Sequence, residues 1–209
     1  GRGFFLHSSL MINPETDEIA GLAGAELFHR KPTPEKETLT QRKKRDRESE
    51  VWGRVIDLVG KPPESTRFIH VFDAGADNFE VFCHLQMEQC GWLIRAAQKH
   101  RVVFDAKGRR TTVQNLVQQQ PLAGRYELWL RARKDQSART AELEVRFAPM
   151  HMPVPAQKTP FMKKCGLTEI SMWGIEVREV NAPADVVEPL HWVLLTSEPI
   201  ETFDDAWTV

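Results

Sequence analysis

Residues 68–72, FIHVF, form a short apolar run that ends on Asp73 and is followed almost at once by Gly75. An apolar run of this length between turn-forming residues reads as a buried strand, and Gly75 lets the chain turn directly after it. Residues 77–89 then read as a helix whose Phe79, Phe82, Cys83, Leu85 and Met87, with Cys90 just beyond, mark a broadly buried face. Upstream, Val51, Trp52, Val55, Ile56 and Val59 recur at the 3.6-residue period of an amphipathic helix over 48–59, closed by Gly60 and the Pro62-Pro63 pair. Residues 92–95 read as the next strand. A carboxylate at the C-terminal end of a strand, ahead of a small-residue turn and a helix, is where α/β folds place functional acids. Aspartates also occur at such positions as plain helix caps, and Asp77 reads as the N-cap of the helix that follows.

The rest of the chain is richer in strands. Residues 4–12 and 19–29 are apolar-rich runs separated by Asn13-Pro14-Glu15-Thr16-Asp17, so they read as adjacent antiparallel strands. Residues 30–47 break the pattern with Pro32, Pro34 and the basic run Arg42-Lys43-Lys44-Arg45, and read as a polar loop that is either solvated or in contact with a DNA backbone. From 101 to 180 short alternating segments at 101–104, 126–131, 141–147 and 171–177 are divided by Gly and Pro, the pattern of an antiparallel sheet. Residues 191–196, HWVLLT, read as a buried strand, and Thr202-Phe203-Asp204-Asp205 as a helix start with acids in its first turn. The fold class is therefore mixed α/β (α+β), with no internal repeat.

Charge is unevenly distributed. Residues 91–164 hold 15 Lys and Arg against 5 Asp and Glu, an excess of ten, so the remainder carries a net −11 within the overall −1. Such asymmetry suits a chain that grips phosphates with one region and gathers divalent metal with another, and an ordinary solvated charged face gives the same count. At 209 residues and 41% apolar content, one core with an insertion is expected. No basic–apolar–small leader and no apolar run near the ~20 residues of a membrane span is present, so the expected compartment is the cytoplasm. Cys83, Cys90 and Cys165 include no C-x-x-C pair and read as free thiols rather than a disulfide framework or zinc site. His7 has no second ligand at useful spacing on its strand and reads as structural.

Several stretches, taken together, resemble the insertion-sequence Asp-Asp-Glu (DDE) transposases of the IS-four family. Asp73-Ala74-Gly75-Ala76-Asp77 is similar to that family's Asp-Arg-Glu-Ala-Asp motif, whose first Asp is the second member of the catalytic triad. Gly3-Phe4-Phe5-Leu6-His7-Ser8-Ser9-Leu10 resembles its second core strand, and Arg95 in Trp92-Leu93-Ile94-Arg95 lies where the family has an arginine on the strand after the catalytic helix. The segment from Pro189 through Trp192 to Pro199 resembles the strand leading into the helix that bears the catalytic glutamate. This sequence departs from the motif at Ala74 and Gly75, where the family has Arg and Glu.

The resemblance implies a ribonuclease H-like core interrupted by an antiparallel β-sheet insertion. Its expected divisions are 1–96 for the core without its first strand, 97–188 for the β-rich insertion, and 189–209 for the return to the core. It implies cut-and-paste DNA transposition, with three carboxylates holding two Mg²⁺ ions (or Mn²⁺) roughly 3.5–4 Å apart for in-line phosphoryl transfer. Asp73 is the one catalytic, metal-binding member expected here; the first Asp is expected upstream of Gly1 and the Glu beyond Val209, so the chain alone is expected to be inactive. Trp192 is expected to stack on a flipped base of the transposon end, although its residues alone also read as a core tryptophan between Leu190 and Leu195. Arg95 is expected to contact a DNA phosphate or to form a surface salt bridge. The implied partners are double-stranded DNA, as terminal inverted repeats and target, and a second copy in a homodimer. The alternative reading is a non-catalytic DNA-binding or regulatory remnant, whose affinity would depend on salt.

Overall fold

The computed structural model describes residues 3–29, 36–38, 41, 47–132, 137–184 and 186–209. The basic run at 42–45 and the prolines at 32 and 34 lie outside the described residues. In chain order the elements are β1 (Phe5–Asn13), β2 (Glu18–Phe28), α1 (Glu48–Val59), β3 (Ile69–Phe72), a 3-10 turn (Ala74–Ala76), α2 (Phe79–Met87), β4 (Gly91–Arg95) and β5 (Val102–Asp105). They continue with β6 (Arg110–Thr112), α3 (Val113–Gln118), β7 (Gly124–Leu130), β8 (Arg139–Pro153), α4 (Pro160–Cys165), β9 (Glu169–Val180), β10 (His191–Thr196) and α5 (Phe203–Thr208). The protein is mixed α/β with mostly strand content, and no helix among the described residues is long and apolar enough to cross a membrane.

Two compact units form. The first comprises Gly1–Phe68, Asn78–Cys90 and Thr159–Cys165. Its β1 and β2 pair antiparallel around the 14–17 turn, as their spacing predicts. Helix α1 lies against β2 through Phe28, Val51 and Val55, all buried. Arg54 Nε donates to Glu26 at 2.5 Å, and His7 meets Trp52 edge-on at 4.9 Å, which gives His7 the structural place expected of it. Gly60 ends α1 at φ 71°, a left-handed conformation that glycine adopts without strain, with its N–H donating to Ile56 O.

Helix α2 starts at Asn78, whose side chain accepts the N–H of Val81 at 3.0 Å. The one-residue displacement from the expected Asp77 cap has a physical cause, since the Asp77 carboxylate is committed elsewhere. Along α2, Phe82, Cys83 and Leu85 are fully buried. His84 Nδ1 hydrogen-bonds to the Asp57 carboxylate of α1 at 2.7 Å, and its ring stacks on Phe161 of α4 at 3.9 Å and 13°. Gly53 makes room for this imidazole: a Cβ there would come within 2.3 Å of it.

The second unit comprises Ile69–Asp77, Gly91–Lys158 and Gly166–Val209. It is built on one sheet in the order β3-β4-β10-β9-β8-β5-β6, with β7 also paired to β8. The β3–β4 pair is parallel and the others antiparallel. Among the described residues β3 pairs on one side only, and its side chains alternate between faces, with Val71 70% and Ile69 47% exposed on one and His70 buried on the other, so the strand expected to be buried is half-exposed. The long β8 and β9 bury Ala141, Leu143, Val145, Ile175 and Val177 on one face, against which Leu190, Trp192, Leu194, Phe203 and Ala206 pack. Gly124 and Gly174 permit two close approaches, of the Phe203 ring to β7 and of Met150 and Val117 to β9. Residues 97–188 contribute β5 to β9 to the sheet that also holds β3 and β4, joined to it where β9 pairs with β10 over Trp173–Arg178.

Candidate functional site

The register of the second unit brings Asp73, Arg95 and Trp192 to one end of its sheet. On the parallel pair, Phe72 aligns with Ile94, so Asp73 and Arg95 come next at the C-terminal ends of β3 and β4. On the antiparallel side, Arg95 aligns with Leu194 of β10, and Trp192 lies two residues further on. Side chains two apart on a strand share a face, so Trp192 and Arg95 stand on the same face of the sheet. The Ala96 N–H donates to Val193 O at 2.8 Å and continues the pairing past Arg95.

Asp73 is exposed and caps the 3-10 turn: one carboxylate oxygen accepts the N–H of Gly75 at 2.8 Å. Arg95 is exposed, with no ion pair among the described residues. Trp192 is half-buried, its indole resting on the β8–β9 apolar cluster.

Asp77 corrects the sequence reading. It is 4% exposed and caps no α-helix. One oxygen accepts the N–H groups of Ala97 (2.8 Å) and Gln98 (3.0 Å), while the other accepts from Arg101 Nη1 at 2.6 Å; Arg101 Nη2 also donates to the Asp77 carbonyl at 3.0 Å. A buried carboxylate requires this many donors. The pair ties the turn after β4 to the segment after β3, behind Asp73. With both oxygens engaged, Asp77 is not free to ligate a metal.

Among the described residues no three His, Cys, Asp or Glu are gathered to hold an ion. Two divalent ions need several oxygen ligands, and Asp73 supplies one exposed carboxylate. Among the described residues the donors present do not fit a two-metal site.

A second polar arrangement was not anticipated. Opposite the apolar face, Glu144 aligns with Arg178 and Arg146 with Glu176, and His191 aligns with Arg178. Glu176, 1% exposed, accepts from Gln118 Nε2 at 3.0 Å and contacts His191 Nε2 at 2.8 Å. Glu144 takes Arg125 at 2.6 Å and Arg146 at 2.9 Å. Gln118, Glu144, Arg146, Glu176 and Arg178 border a cavity of about 520 Å³ that Asn181 also lines. The Arg146 and Arg125 guanidiniums hold the Glu144 carboxyl below its ordinary value. Nearby, Glu179 is held low first by its hydrogen bonds to Arg139, and also by the Leu190 N–H at 2.8 Å. The period-2 alternation of Glu142, Glu144 and Arg146 with Glu176 and Arg178 was the available sequence signal for this charged face.

Several arginines of the basic segment are thus neutralised within the fold: Arg101, Arg109, Arg125, Arg139 and Arg146 all pair with carboxylates. The raw excess of positive charge therefore overstates what is presented to a polyanion. No family model matches the chain, and no curated protein matches it.

Proposed function

We propose that this chain is the central part of a DDE-type DNA transposase, with Asp73 as one of the carboxylates of its catalytic centre. The observation that carries the reading is the convergence of Asp73, Arg95 and Trp192, far apart in sequence, at one end of one sheet. Each was singled out by its own local resemblance to the transposase family. A carboxylate, an exposed guanidinium and a half-buried indole at one sheet end make up the chemistry for an acid near the reacting phosphate, a phosphate clamp and a stacking platform.

The parallel β3–β4 pair with Asp73 at its end is compatible with a ribonuclease H-like core. The open side of β3 is assigned to the strand bearing the family's first aspartate. The remaining carboxylates and the Mg²⁺ or Mn²⁺ ions are assigned to the assembled transposase, acting on terminal repeats and target DNA in the bacterial cytoplasm, as a homodimer on paired ends. The chain by itself is a DNA-binding, non-cleaving piece.

A labelled DNA duplex titrated with the chain across a salt series tests this reading. Affinity falls as salt rises, and Arg95→Ala reduces the log–log slope by about one. Absent binding, or binding unaffected by both salt and Arg95→Ala, contradicts it.

A further inference from the structure

In the first unit two cysteines lie beside each other where α2 meets α4: the Cys165 thiol donates to the backbone carbonyl oxygen of Cys83 at 3.9 Å. The packing that holds them is specific. Glu80, Cys83 and His84 share the side of α2 turned to α4, since residues three and four apart lie on one helical face. Glu80 accepts from Thr159 Oγ1 at 3.1 Å, the same hydroxyl caps α4 by accepting the Met162 N–H at 3.2 Å, and His84 stacks on Phe161. These contacts flank the cysteines and fix the approach of the two helices. Cys83 is fully buried and Cys165 half-buried, so one thiol is open to a small oxidant and the other is sheltered beside it.

We propose that Cys83 and Cys165 are a redox-active pair that peroxide converts to an intramolecular disulfide, pinning α4 to α2 across 82 residues of chain. The Cys165 thiolate attacks one peroxide oxygen, the O–O bond breaks, and the departing hydroxide is protonated to water, leaving a sulfenic acid. The Cys83 sulfur then attacks the sulfenic sulfur and gives up its proton. The S–O bond breaks, and that oxygen leaves as a second water. In balance, two thiols and one H₂O₂ give one disulfide and two H₂O. Burial first, and then the neighbouring Cys165 thiol, push Cys83 up to about 12. Cys83 therefore stays a thiol towards peroxide and gives up its proton only as it attacks the sulfenic acid formed beside it. Cys90, also buried, donates instead to the carbonyl oxygens of Glu88 (3.5 Å) and Gly60 (3.7 Å) and is left out of the pair.

The test treats the folded protein with hydrogen peroxide, quenches it, counts free thiols after denaturation, and maps linked peptides without reductant. The expected result is a fall from three thiols to one, a single cross-link between the peptides holding Cys83 and Cys165, and full recovery with dithiothreitol. Cys165→Ser, at the half-buried position, keeps both remaining thiols through the same treatment at peroxide doses that close the wild-type pair. Three thiols surviving, over-oxidation of Cys165 without a cross-link, or a link through Cys90 or between chains would overturn the proposal.

Discussion

Asp77 and Arg101 meet at 2.6 Å with the aspartate side chain only 1% exposed, and this pair anchors the turn after β4 behind the exposed Asp73. Removing one partner of a buried, hydrogen-bonded ion pair strands the other charge. Asp77→Ala is expected to cost ~3–5 kcal/mol in urea unfolding. Asp73→Asn keeps an oxygen for the Gly75 N–H and is expected to stay within about 1 kcal/mol of the wild type. Equal losses from the two would show that the division of labour between these aspartates is wrong.

Gly53 reverses the usual rule for a helix interior. Alanine there ordinarily stabilises by roughly 0.5–1 kcal/mol, but its Cβ would press into the His84 ring, which Asp57 and Phe161 hold in place. Gly53→Ala is expected to destabilise by ~1–3 kcal/mol, and His84→Ala in the same chain to recover part of that loss. Thermal melts of the two single variants and the double variant give the sign.

Acid sensitivity follows from two groups with different windows. Glu179 is held below its ordinary 4.5 chiefly by Arg139, so its contribution is present above that value and is lost as pH falls through the lower folded value. Glu179→Gln is expected to flatten the stability curve below about pH 4.5 while lowering the plateau above it. His70 is held below its ordinary 6.5 by burial, so the unfolded chain takes up the proton first and stability declines as pH drops below 6.5. His70→Phe, beside the stacked Phe72, is expected to remove that decline. Denaturant midpoints between pH 3 and 7.5 separate the two windows.

The β1–β2 hairpin exposes Phe4, Leu6, Leu10, Ile12, Ile19, Leu22 and Leu27 at 55% or more each. Contiguous apolar surface beside an unpaired strand edge drives association. Sedimentation velocity is expected to show concentration-dependent self-association that Leu6→Glu with Ile19→Lys reduces. A monodisperse wild type at all concentrations would contradict this.

What could be read in advance was what depends on local pattern. The 3.6-residue spacing from Val51 to Val59, the turn between β1 and β2, the apolar run of β10 and the position of Asp73 at the end of β3 all follow from neighbours in sequence. Partner choice did not. Asp77 looked like a cap because its Arg101 lies 24 residues away, and the charged face around Glu176 assembles from α3, β8, β9 and β10. Short alternating strands within 97–188 do not reveal which sheet they join, and only the pairing of β9 with β10 shows it.

The most direct test of the central claim is Mn²⁺-dependent nicking of duplex DNA by this chain extended through its flanking reading frame, with and without Asp73→Asn, beside the chain alone. The account predicts nicking by the extended protein, its abolition by Asp73→Asn with DNA binding retained, and none by the chain alone. Nicking that survives Asp73→Asn would remove Asp73 from the catalytic centre, and an extended protein that binds DNA but never nicks would contradict the transposase assignment in favour of a DNA-binding remnant.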